Sequence, residues 1–152
     1  DAGGDVRPEP RVADAPHRTL DNPESAGDDF DDLAALEVAL SSRREATRES
    51  AAEGLVNAPG MEASVHLGNA IMDASASVRD AAIGSLIEIG GREGTQALGL
   101  ALGHPDPRVR EDIVYALAEI SDEIALGFLQ QALTDANPHV REAAADALRE
   151  RR

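Results

Sequence analysis

The chain has 152 residues, 29 acidic against 14 basic side chains for a formal charge of −15, and an apolar fraction of 42%. That is enough apolar material for a core, while the charge argues against a surface that attracts nucleic acid or anionic lipid and turns the expectation toward neutral or basic partners. The absence of Cys removes disulfides, thiolate metal sites and thiol nucleophiles, and no run of about 18 apolar residues exists to cross a bilayer.

Residues 1–29 hold four of the eight prolines (Pro8, Pro10, Pro16 and Pro23), have almost no large apolar side chains and show no period. Such a composition cannot bury enough surface to offset the entropy of ordering, so a disordered acidic leader or linker is expected, with a repeat domain over 30–152. From Phe30 onward the apolar spacing predicts helices near 30–41, 44–56, 61–72, 77–89, 93–102, 107–120, 122–133 and 138–150. Ser75, Asp106 and Asn137 stand at N-cap positions, and Pro107 and Pro138 follow where a missing N–H costs nothing. Gly90 and Gly91 supply the positive φ that ends one helix. Two Phe, one Tyr and no Trp leave Ala, Leu, Ile and Val to fill the interior, which suits close helix packing.

The helices repeat. VRDAAIGSL at 78–86, VREDIVYAL at 109–117 and VREAAADAL at 140–148 are separated by 31 residues, and TRESAAEGL at 47–55 is a weaker fourth copy. At that step Leu36, Leu67, Leu98 and Leu129 form a column, as do Ala39, Ala70, Ala101 and Ala132, and Leu40, Ile71, Leu102 and Leu133. Arg48, Arg79, Arg110 and Arg141 form another, and Leu55, Leu86, Leu117 and Leu148 a fifth. A short helix pair cannot bury its own apolar stripe, so successive pairs must stack on a shared core. The expected fold is all-α: a right-handed α-solenoid of about four helical-hairpin repeats.

An Asp six residues before an Arg, with Val immediately ahead of the Arg and an Ala/Leu helix after it, resembles the HEAT-like repeat, in particular the short form named after phycobilisome lyases. The resemblance covers roughly residues 30–152. Asp73 with Arg79 and Asp135 with Arg141 carry the full motif, and the resemblance implies that these side chains, with Arg110, form a hydrogen-bonded ladder between repeats. Ser42 and His104 stand where the Asp belongs, so the ladder is expected to be interrupted there. The resemblance also implies that the second helix of each pair lines a concave surface. Its outward positions are Glu62, Val65, Asn69, Glu93, Gln96, Leu100 and Gln131, a mixture of acids, amides and exposed aliphatics that suits a protein or peptide.

Catalytic chemistry finds little footing. His17, His66, His104 and His139 are scattered, with none in an HExxH or His-Glu arrangement of the kind HEAT-like hydroxylases use for iron, so no metal and no cofactor are expected. The column Glu49, Asp80, Glu111 and Glu142 reads as a solvated face before it reads as a docking strip for a basic partner. The last helix has no following helix to cover it, so exposure of Val140, Ala144 and Leu148 is expected unless the ending RERR shields them, which would allow stacking or oligomerisation at that end.

The reading is a non-catalytic protein-interaction scaffold. A structural or assembly subunit of a larger complex is the alternative, and a chromophore or haem lyase-like activity stands third. All fourteen basic residues are Arg, which fits the codon bias of a GC-rich bacterium. The first residue, Asp1, implies that a signal, an anchor or the rest of a longer chain was removed, which favours an exported or periplasmic setting over a cytoplasmic one.

Overall fold

The computed structural model describes residues 33–58 and 60–151; the expected leader over 1–29 and the start of the repeat domain lie outside them. Among the described residues there are eight α-helices and no strand. They are α1 (Leu33–Leu40), α2 (Glu45–Gly54), α3 (Gly60–Ala70), α4 (Ala76–Ile89), α5 (Gly91–Leu100), α6 (Pro107–Glu119), α7 (Glu123–Ala132) and α8 (Pro138–Glu150). Single 3-10 turns extend α2 over Leu55–Asn57 and α5 over Ala101–Gly103.

Local chemistry sets the ends of these helices. Asp106 accepts the Arg108 N–H and Asn137 the His139 N–H, each with a proline at the first helical position. Ser75 also sits at an N-cap, but its hydroxyl turns to the Ser77 hydroxyl, which donates to Glu45 at 2.6 Å, so no side-chain cap forms there. Gly90 alone joins α4 to α5 with φ +60° and ψ −153°, a backbone conformation open only to glycine, and Gly91 follows at φ +59°.

The helices pack as a two-layer α-solenoid. The odd helices α1, α3, α5 and α7 lie side by side in one layer and the even helices α2, α4, α6 and α8 in the other, with each helix also packed on its sequence neighbour. The core runs between the layers. Leu36, Leu67, Leu98 and Leu129 seal it from the odd side, and Leu55, Leu86, Leu117, Val78, Val109 and Val140 from the even side, all buried. Fully burying a side chain of this size contributes roughly 1.5–3 kcal/mol, and the repeated columns distribute that gain along the stack.

Small residues set how closely the helices approach. A Cβ on Gly94 would stand 2.5 Å from the Leu86 carbonyl oxygen, and one on Gly99 would fall on the Phe128 ring. Glycine at 94 therefore lets α5 lie against α4, and glycine at 99 leaves room for the aromatic ring of α7.

The end of the array differs from the expectation. Val140 and Ala144 are fully buried and Leu148 is half-buried, because α8 turns that stripe onto α6 and α7. Arg151 folds back to donate to the carbonyls of Leu117, Ala118 and Ile120, capping the end of α6. The apolar exposure at this end lies instead on Leu126 and Leu133 of the α7 region, 36% and 40% exposed, which no following odd helix covers among the described residues.

Candidate binding groove and inter-repeat ladder

The ladder is built from arginines and the turns that precede them. Each arginine of the column donates through Nη1 to the carbonyl six residues back: Arg48 to Ser42, Arg79 to Asp73, Arg110 to His104 and Arg141 to Asp135. This clamps the turn leading into each even helix. The inter-repeat bond is separate and reaches 25 residues forward. Arg48 grips Asp73 with Nε and Nη2 at 2.7 and 2.9 Å, and Arg110 grips Asp135 with both at 2.8 Å. These fork-on-fork pairs are largely shielded from water and have the bidentate geometry that makes such contacts strong. Hydrogen bonding from the guanidinium holds the Asp73 and Asp135 carboxyls below the ordinary aspartate value.

This corrects the expected membership of the ladder. Among the described residues Arg79 and Arg141 donate to backbone carbonyls only, while Arg48, left out of the expected ladder, supplies one of the two rungs. The substitution at His104 does not break the Arg110 rung, since Arg110 uses only the His104 carbonyl. It breaks the rung of Arg79, whose forward partner would be residue 104. His104 keeps the other task of the position: Nδ1 accepts the Asp106 N–H at 3.0 Å, as Asp73 and Asp135 accept the N–H two residues on and as the Ser42 hydroxyl does.

The broken rung lies where the even layer is thinnest. α2 packs extensively on α4 and α6 on α8, whereas α4 and α6 meet sparsely. Burial, together with the carboxylates of Asp80 on α4 and Glu111 beside it, pushes the Asp112 carboxyl of α6 above its ordinary value. Like charges thus face one another across the junction that lacks its Arg–Asp clamp.

On the opposite layer α3 and α5 enclose a groove of about 460 Å³. Val65, Asn69, Glu93, Gln96 and Leu100 all line it. Glu62 is exposed on α3 outside the lining, and Gln131 lies apart, beside a smaller pocket near Thr134 and Asp135. Sequence reasoning missed Met61, Ser64, Gly68, Met72 and Arg92, which also line the groove. The signal was present: Met61, Val65, Gly68 and Met72 recur at i, i+4, i+7 and i+11, a stripe on the side of α3 away from the buried Leu67. These are the only two methionines of the chain, and both are more than half exposed. Leu100 is 79% exposed.

At the floor stands an unsatisfied hydroxyl. Ser64 is 3% exposed, and its Oγ has no hydrogen-bond partner among the described residues. One repeat later Thr95 fills the same position and donates to the Gly91 carbonyl and to Asp122 at 2.9 Å. The counterpart of Asp122 one repeat back is Gly91, which has no side chain to offer. Ser64 therefore keeps the buried hydroxyl of its column and loses the partner.

Elsewhere, His66 Nε2 lies 2.7 Å from Glu37 Oε1, a pairing of α3 with α1 that separation along the chain concealed. No group of three or more His, Cys, Asp or Glu arranged to hold a metal occurs among the described residues, and no helix is long and apolar enough to cross a membrane.

Residues 64–149 match the family model for HEAT repeats. Among solved structures, human deoxyhypusine hydroxylase in complex with glycerol superposes with a TM-score of 0.63 at 29% identity, over 79% of this chain and 43% of that one. The chain thus spans less than half the length of that enzyme. No curated protein matches it.

Proposed function

The chain belongs to the HEAT-repeat family, and on that premise we propose that it is a non-catalytic interaction module that binds a partner protein or peptide in the groove between α3 and α5. The observation that carries this reading is the set of large apolar side chains left in water on one face: Met61, Val65, Met72 and Leu100 are each more than half exposed around a single groove, whereas the positions matching Met61, Val65 and Met72 in the next two repeats hold Arg92 and Glu123, Gln96 and Gly127, and Gly103 and Thr134. Asn69, Gln96, Arg92 and Glu93 supply a polar border, and a hydrophobic centre with a polar rim is the anatomy of a recognition surface. The deoxyhypusine hydroxylase likeness is a likeness of scaffold on this reading, because the His66–Glu37 pair is the sole His–carboxylate contact among the described ion pairs and lies outside the groove. Crosslinking from a photoreactive residue placed at Gln96, compared with one at Glu142 on the other layer, tests the reading. Partner adducts only from position 96 are expected; adducts only from 142 would move the function to the acidic ridge, and none from either would remove it.

A further inference from the structure

The joints inside the array define, position by position, the face that each helix pair turns to the next. Thr95 reaches forward to Asp122, and a Cβ at 68 or 99 would meet Ala97 or Phe128 of the following odd helix. Leu102 shares a pocket with Ala132 and Asp135, and Arg48 and Arg110 grip Asp73 and Asp135. In the α7–α8 pair these four positions hold Leu126, Gln130, Leu133 and Arg141. Leu126 and Leu133 are 36% and 40% exposed, and Gln130 is exposed beside them. Arg141 spends only Nη1, on the carbonyls of Asp135 and Ala136. Its Nε and Nη2, the atoms that hold a carboxylate in Arg48 and Arg110, have no partner among the described residues.

This face copies one internal joint in particular. The middle pairs carry Ser64 with Gly68 and Thr95 with Gly99, whereas the first pair carries Leu33, Glu37, Leu40 and Arg48, a pattern that Leu126, Gln130, Leu133 and Arg141 repeat with an amide in place of the acid. The first face receives the hairpin α3–α4, which brings His66 to Glu37 and, seven residues later, Asp73 to Arg48. A second copy of this chain offers no such match. Its leading pair would bring Ser42 to Arg141, followed by the exposed Arg43 and Arg44, which is like charge with no carboxylate. We infer that the α7–α8 end docks a HEAT-like helical hairpin of a partner protein, one with an aspartate in its inter-helix turn for the Arg141 fork and a hydrogen-bonding residue seven positions earlier for Gln130. The two leucines supply apolar area, and the bidentate pair fixes the register. This surface is separate from the groove between α3 and α5, and the inference does not rest on what the groove binds.

The probe is a fluorescent polypeptide of residues 60–152, which leads with α3–α4 and so presents His66 and Asp73; it carries Arg141→Ala to stop it stacking on itself, and a cooperative helical melt is the condition for its use. Titrated with the full chain and followed by anisotropy, it should bind saturably. Arg141→Ala in the full chain and Asp73→Asn in the probe should each weaken binding at least ~10-fold, and the two together little more than either alone. Leu133→Glu, at an exposed position, should abolish binding, while Leu100→Glu in the groove should leave it unchanged. No binding by the folded probe, or losses from Arg141→Ala and Asp73→Asn that simply add, overturns the inference. Self-association of the unmodified chain that Arg141→Ala removes also overturns it, since the occupant would then be a second copy. If the probe does not fold alone, a copy of residues 60–89 joined after Arg152 keeps the 31-residue register. Arg141→Ala should then lower the melting temperature by several degrees more in the extended chain than in the native one. An equal shift in both overturns the inference.

Discussion

His104 shows how one position carries two duties that a substitution can separate. Its ring nitrogen preserves the turn into α6, but it lacks the carboxylate whose two oxygens, in Asp73 and Asp135, hold the arginine of the preceding repeat. Arg110→Ala should therefore destabilise the protein by about 1–3 kcal/mol, since it strands the shielded Asp135 carboxylate, and Arg79→Ala should cost measurably less, because it strands only carbonyls. His104→Asp should raise stability by about 1 kcal/mol by completing the rung to Arg79. Urea titrations of the three variants check this order, and an equal loss in the two arginine variants would refute it. The same two rungs set the acid limit of the fold. The Asp73 and Asp135 values are depressed when folded, so their contribution is present above the ordinary aspartate value near 3.9 and is lost as pH falls below it toward the folded values. Thermal unfolding between pH 5 and 2.5 should show that loss, and Asp135→Asn should flatten it.

At the scale of the helix, spacing rules served where periodicity and caps agreed and failed where the decisive contact lay in another repeat. Pro107 and Pro138 after Asp106 and Asn137, the paired glycines at 90–91 and the leucine columns are local or periodic signals, and they placed all eight helices to within a few residues. The ladder between repeats was expected from the motif, which gives Asp73 and Asp135 an Arg six residues on; in space that Arg donates to the Asp carbonyl, and the carboxylate is taken by the arginine 25 residues earlier. Ser64 was invisible for a related reason: its defect is the missing acceptor at Gly91, readable only by comparing its column with Thr95 and Asp122 together. Glycine likewise has two meanings within one helix type. Gly94→Ala should destabilise by about 1–3 kcal/mol despite better helix propensity, because its Cβ meets the immobile Leu86 carbonyl. Gly84→Ala, with nothing within 4 Å, should stabilise by about 1 kcal/mol. Thermal melts of both proteins check the opposite signs.

The whole molecule divides at its middle. Rungs clamp the first helix pairs to each other and the last pairs to each other, while the junction between α4 and α6 has an arginine without its inter-repeat carboxylate, sparse packing, and the Asp80 and Asp112 carboxylates facing each other with only partial relief from Arg79. In a stacked array stability is local, so amide hydrogens flanking this junction, at the end of α4 and the start of α6, should exchange by a lower-energy opening than those of α2 or α8. Native-state exchange monitored by mass spectrometry checks this, and uniform protection across the four even helices would contradict it. The interruption at His104 was legible in the Asp column, but the sparse packing of α4 on α6 and the repulsion between Asp112 and Asp80 were not, since both depend on residues of separate helices. The location of both methionines has a chemical corollary. With no cysteine in the chain, Met61 and Met72 are its sulfur atoms, and mild peroxide would convert both to sulfoxides at the surface. Oxidation would then make the groove polar while the buried leucine columns, and with them the fold, went untouched.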